Sequence, residues 1–176
     1  VNAANGWLEL GNVAEARLEA DAISLPGRAH LEAFLVRWKI AARLQNWSEA
    51  HRIATIFTKV VPNQVTGWIC LSYSLYRLKR PLEAWMQLLP RAADFPRVSA
   101  IPYMLACYAH ELGNHKLANQ FLLRSADLGG PSEIKGCLTA AGDLPPIPAP
   151  PPAMPSGADS NLRPAIATAL QSEKRR

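Results

Sequence analysis

Cys107 and His110 stand three residues apart, a spacing that puts a thiol and an imidazole on one face of a helix. Such a pair opens either a metal site or a Cys–His nucleophile. A structural metal site asks for three or four ligands, and a nucleophile asks for a third group to orient the base. His115 follows beyond a Gly113-Asn114 turn signal, with no carboxylate cluster beside it. His30 and His51 stand alone and read as surface residues. Cys70, Cys107 and Cys137 form an odd set without paired spacing, so they read as reduced thiols and not as a disulfide framework. There is no phosphate-cradling glycine loop, no HExxH and no GxSxG. These residues predict no catalytic group, no metal and no cofactor. Cys107 reads as a small core or groove-lining residue.

The elements that would position such residues are set by an internal period. The segments Gly11-Asn12-Val13-Ala14-Glu15-Ala16, Gln45-Asn46-Trp47-Ser48-Glu49-Ala50, Lys79-Arg80-Pro81-Leu82-Glu83-Ala84 and Gly113-Asn114-His115-Lys116-Leu117-Ala118 start 34 residues apart. Ala16, Ala50, Ala84 and Ala118 therefore align, as do Leu10, Leu44, Leu78 and Leu112 ahead of the turn. A Gly or Asn at the turn accepts the backbone angles that end one helix and start another. Asn12, Asn46 and Asn114 can also cap the second helix. The alanine lets two helices approach closely, and Pro62 and Pro96, also 34 apart, stop the second helix. Apolar residues fall at helical spacing between these marks: Trp68, Leu71, Leu75 and Leu78, then Leu105, Tyr108, Ala109 and Leu112. Trp38, Trp47, Trp68 and Trp85 read as core.

This register, over roughly residues 7–130, resembles the tetratricopeptide repeat (TPR) family. The segment Phe95-Pro96 followed by Ile101-Pro102-Tyr103-Met104-Leu105-Ala106-Cys107-Tyr108-Ala109 is similar to small free-standing bacterial members. The resemblance implies an all-α fold: a right-handed α-α superhelix, a solenoid of about 3.5 helix-turn-helix repeats with a C-terminal cap helix. The repeat domain would span 1–143, with repeat cores near 1–28, 29–62, 63–96 and 97–130 and a cap at 131–140. The resemblance also implies a concave groove lined by the first helix of each repeat. In that register Lys39, Tyr73 and Cys107 share one row, and Leu35, Ile69 and Tyr103 a second. Ala42, Tyr76 and His110 share a third, and Arg43, Arg77 and Glu111 a fourth. The candidate partner-binding residues are thus Lys39, Arg43, Tyr73, Tyr76, Arg77, Tyr103, Cys107 and His110. Tyr and Arg are the types that anchor interfaces. Some family members clamp a C-terminal carboxylate with Lys and Asn. Here Lys39 occupies the row where that clamp has Asn, which argues against that specificity.

The ends depart from the pattern. The first repeat retains only about residues 4–10 for its first helix, with Trp7, Leu8 and Leu10 as a stub covering the next helix. Pro90 falls inside the third repeat's second helix, where it forces a kink or an early stop. Pro81 and Pro102 fall in first turns, where Pro is tolerated. After Gly129-Gly130-Pro131 a short cap helix is expected near Ser132–Thr139, with Ile134 and Leu138 inward. Seven prolines between Pro145 and Pro155 favour polyproline II, and 144–176 reads as a Pro-rich disordered tail with a basic end. Leu162, Ile166 and Leu170 form a weak amphipathic stripe within it. The formal net charge of +5 owes three charges to Lys174, Arg175 and Arg176, so the body is nearly balanced. No apolar run is long enough to span a membrane. The first residues carry no leader pattern, although the chain starts at Val1 and not at Met. The expectation is a cytoplasmic, non-enzymatic scaffold for an unidentified peptide or protein. The alternative is single-stranded nucleic-acid binding by a helical-hairpin array. A row that mixes Arg43 and Arg77 with Glu111, beside Leu35 and Ile69, disfavours it.

Overall fold

The computed structural model describes residues 1–23 and 31–130. The expected cap helix, the Pro-rich tail and His30 lie outside the described residues. Helix follows helix throughout: α1 (Asn2–Glu9), α2 (Val13–Asp21), α3 (Leu31–Arg43), α4 (Trp47–Val60), α5 (Val65–Arg77), α6 (Pro81–Leu88), α7 (Arg91–Asp94), α8 (Ala100–Glu111) and α9 (His115–Asp127). Among the described residues there is no strand, and consecutive helices pack on one another. None of these helices is long and apolar enough to cross a membrane.

Four turns have the same construction. Gly11, Gln45, Lys79 and Gly113 all have left-handed backbone, with φ of 77°, 54°, 62° and 79°. At each, the amide of the following residue donates back to a carbonyl five residues earlier: Asn12 to Trp7, Asn46 to Ala41, Arg80 to Leu75 and Asn114 to Ala109. The left-handed residue itself donates to Leu8, Ala42, Tyr76 and His110 in turn. This is the Schellman arrangement, which satisfies carbonyls that a helix end leaves bare. Asn is not the left-handed residue in any copy, contrary to one of the two roles its type allowed. Instead Asn12, Asn46 and Asn114 accept from the amides of Glu15, Glu49 and Leu117 at 3.1–3.2 Å. Two non-glycine residues therefore occupy backbone angles that L side chains disfavour. Arg80, in the third copy, makes no side-chain cap, and Pro81 takes the first helical position.

The aligned alanines Ala16, Ala50, Ala84 and Ala118 are all buried. Close approach recurs at Gly67 in α5, where an added Cβ would lie 3.3 Å from the Phe57 ring. Phe57 stacks in turn on Phe34 with ring centroids 5.3 Å apart. Adjacent first helices are also tied by buried polar contacts. Trp38 Nε1 donates to Ser74 Oγ at 2.9 Å, and Tyr108 Oη donates to Ser72 Oγ at 3.2 Å. Each such bond contributes about 1 kcal/mol net and costs more if one partner is removed.

Several local expectations resolve distinctly. α4 and α7 end two residues before Pro62 and Pro96. Pro90 does stop α6 early, and a single turn, α7, restarts after it. The first repeat's stub is α1, with Leu8 buried, but Leu10 is 77% exposed and covers nothing. Trp38, Trp47 and Trp85 are buried, whereas Trp68 is half-buried. Its indole donates to the Pro62 carbonyl at 2.8 Å, and the Arg91 guanidinium lies 4.6 Å over its ring. A polar edge and a cationic partner keep it at the boundary and out of the core.

Candidate functional site

Lys39 and Arg43 belong to α3, Tyr73, Tyr76 and Arg77 to α5, and Tyr103, Cys107 and His110 to α8. Their burial differs widely. Arg43 is exposed, Lys39, Tyr76, Arg77 and His110 are half-buried, and Tyr73, Tyr103 and Cys107 are buried.

Tyr73, only 2% exposed, organises the centre. Its ring meets Trp47 and Trp38 edge-on, at centroid distances of 5.7 and 6.2 Å. Its hydroxyl accepts from Arg77 Nη1 at 3.1 Å. The Arg77 guanidinium lies over Trp47, with its carbon 4.3 Å from the ring centroid. Arg77 thus sits between an indole face and a phenol, a cation–π arrangement that fixes a flexible side chain. Tyr76 continues the aromatic series, 6.5 Å from Tyr73 and 5.3 Å from Tyr108. Partial burial, followed by the charge of Glu111, raises the Tyr76 pKa above the usual tyrosine value.

Tyr103 and Cys107, one turn apart on α8, are hydrogen-bonded to each other. Burial pushes the Cys107 thiol up to about 11 and the Tyr103 phenol up to about 12. At neutral pH Cys107 is a protonated thiol, the unreactive form. His110 turns to a different neighbour, His115, whose ring centroid is 4.8 Å away across the α8–α9 turn. Its Nε2 is buried and makes no hydrogen bond among the described residues. No group of three His, Cys, Asp or Glu residues is placed to hold a metal ion among the described residues.

The structure therefore brings Tyr73, Tyr76 and Arg77 into one aromatic–cation assembly, and Tyr103 with Cys107 into a second pair. Sequence reasoning missed two participants. Trp47, the platform under Arg77, reads as simple core because nothing local links the start of α4 to the end of α5. Tyr108, whose buried hydroxyl joins α8 to α5, carries no signal beyond helical spacing. A separate cleft of about 400 Å³ lies between α2, α3 and α4. Its arginines meet Asp21, Arg37 at 3.5 Å and Arg17 at 3.9 Å, and its Glu49 pairs with Arg52.

With this geometry in view, comparison with protein-family models finds no match, and comparison with curated proteins finds no similar one.

Proposed function

We propose that the chain is an interaction scaffold of the tetratricopeptide type, a right-handed superhelix that takes a peptide or protein on its first-helix faces and performs no catalysis. The observation that carries the reading is the set of four identically bonded turns, each 34 residues from the last, with buried alanine five residues after each left-handed residue. A repeated hairpin presents a repeated face, and a row of such faces suits an extended ligand. Lys39, Tyr76, Arg77 and His110 are half-buried members of that face.

The test is affinity capture with the wild type beside a Lys39→Glu/Tyr76→Ala double variant. Tyr73 is a poor choice for substitution, since its buried ring holds Trp38 and Trp47. Partners captured by the wild type and lost by the variant, at unchanged helicity, are expected. Partners kept equally by both would sink the reading.

A further inference from the structure

One row of the repeat falls on the last residue of α1, α3, α5 and α8: Glu9, Arg43, Arg77 and Glu111. Its charge runs negative, positive, positive, negative. Lys39 stands one turn before Arg43 on α3 and adds a third cation to the central half. Arg77 differs from five of the other arginines described. Arg17, Arg37, Arg52, Arg80 and Arg91 each meet a carboxylate within 4.0 Å. Arg77 meets none among the described residues. One of its N–H groups donates to Tyr73 Oη, and its guanidinium carbon lies 4.3 Å from the Trp47 ring centroid. The rest of its donor fork has no protein acceptor among the described residues.

From this geometry we infer that Arg77, braced by Trp47 and Tyr73, is a receptor for a side-chain carboxylate of an acidic peptide laid across α3 and α5. The inference rests on the scaffold reading and specifies its partner. A guanidinium already fixed on an aromatic face loses little freedom on gripping an anion, and its planar fork matches a carboxylate with two parallel bonds. Glu9 and Glu111 at the ends of the row repel a ligand that is acidic throughout its length. They favour one whose negative charge is confined to the centre, which places an acidic peptide ahead of a continuous polyphosphate.

A helix C-terminus also favours a cation, so Arg77 has a structural role to be separated from this one. Arg77→Lys separates them, because lysine keeps the charge and loses the planar fork. The probes are two fluorescein-labelled peptide pools of equal length, one randomised over Leu, Tyr, Ala and Glu, the other with Gln in place of Glu. A labelled oligouridylate is the third. Fluorescence anisotropy with the full chain should show the Glu pool bound about tenfold more tightly than the Gln pool, a preference abolished by Arg77→Lys at unchanged helicity. Equal binding of the two pools would overturn the receptor and leave the scaffold standing. Binding of neither pool would overturn both. A Glu preference that survives Arg77→Lys removes Arg77 from the role. Oligouridylate bound more tightly than the Glu pool would assign the cations to nucleic acid.

Discussion

Gln45 and Lys79 hold left-handed backbone at φ 54° and 62°, where the equivalent residues of the first and fourth turns are glycines. A side chain there costs about 1 kcal/mol against glycine, partly offset by the greater freedom glycine has in the unfolded chain. Both side chains are exposed, so nothing else is lost on their removal. Gln45→Gly and Lys79→Gly should each raise the unfolding free energy by about 0.5 kcal/mol, read from urea midpoints at constant slope. A lower midpoint for either would show that the strain is absent. Cys107 gives a second prediction at this scale. Its folded pKa of about 11 lies above the ordinary value of 9.0 because burial penalises the thiolate. The folded state therefore keeps its proton over a range where the unfolded state has lost it. Its stabilising effect is complete below pH 9 and declines as pH rises towards 11, by on the order of 2 kcal/mol. Tyr103 extends the same loss to higher pH. Cys107→Ala should make the decline between pH 9 and 10 shallower, before the raised tyrosines begin to titrate in the unfolded chain, and an unchanged slope there would refute the assignment.

At the scale of elements, each helix pair is punctuated by the residues that the period aligns. Asn46 caps α4 by accepting from Glu49 N at 3.2 Å. Asn46→Ala should cost about 1 kcal/mol in chemical denaturation, and a cost near zero would mean the cap is redundant. Pro90 interrupts a stretch whose backbone is still helical, at φ −61° and ψ −29°. What it lacks is the amide that would donate to the Met86 carbonyl. Pro90→Ala should join α6 to α7, deepen the far-UV helical signal and add about 1 kcal/mol, while a weaker signal would show that the break is set by packing. Helix positions, turns and caps were legible in the sequence because each depends on residues within a few positions of one another. The αL placement of Gln45 and Lys79 was legible only through register, since neither residue type signals it. The candidate site was legible in part. Register put Lys39, Arg43, Tyr73, Tyr76 and Arg77 on first helices, but it does not encode depth, and Tyr73 turns out to be nearly sealed. Depth comes from the neighbour across the turn, Trp47, and that contact joins residues 26 positions apart. Trp68 shows the converse: the right spacing for core, drawn to the boundary by the Pro62 carbonyl and Arg91.

The whole molecule divides its core unequally. A large cluster runs from Trp38 in α3 to Ala118 in α9 and contains Trp47, Phe57's neighbours on α4, Tyr73, Trp85 and Tyr108. A small one holds the first hairpin, with Ala4, Leu8, Ala16 and Ala20 packed on Val36 and Ile40. α3 is the wall between them, giving Val36 and Ile40 to one side and Trp38, Ala41 and Ala42 to the other. Alanines bury little apolar area, whereas each large aromatic of the main cluster removes about 150–250 Å² from water. In a chain where each unit contacts only its neighbours, stability is a sum of local terms, and the poorest unit opens first. Native-state hydrogen exchange should therefore show amides of α1 and α2 opening at least about 2 kcal/mol more easily than those of α5 and α8. Val36→Ala should widen that gap by about 1–2 kcal/mol, because it removes a buried side chain from the small cluster and leaves the Trp38 side of α3 intact. Because Arg77, Trp47 and Tyr73 all lie in the large cluster's territory, preference for the Glu peptide pool should survive that variant. Uniform exchange from α1 to α9, or loss of the preference together with the first hairpin, would mean that the array folds and binds as one indivisible unit.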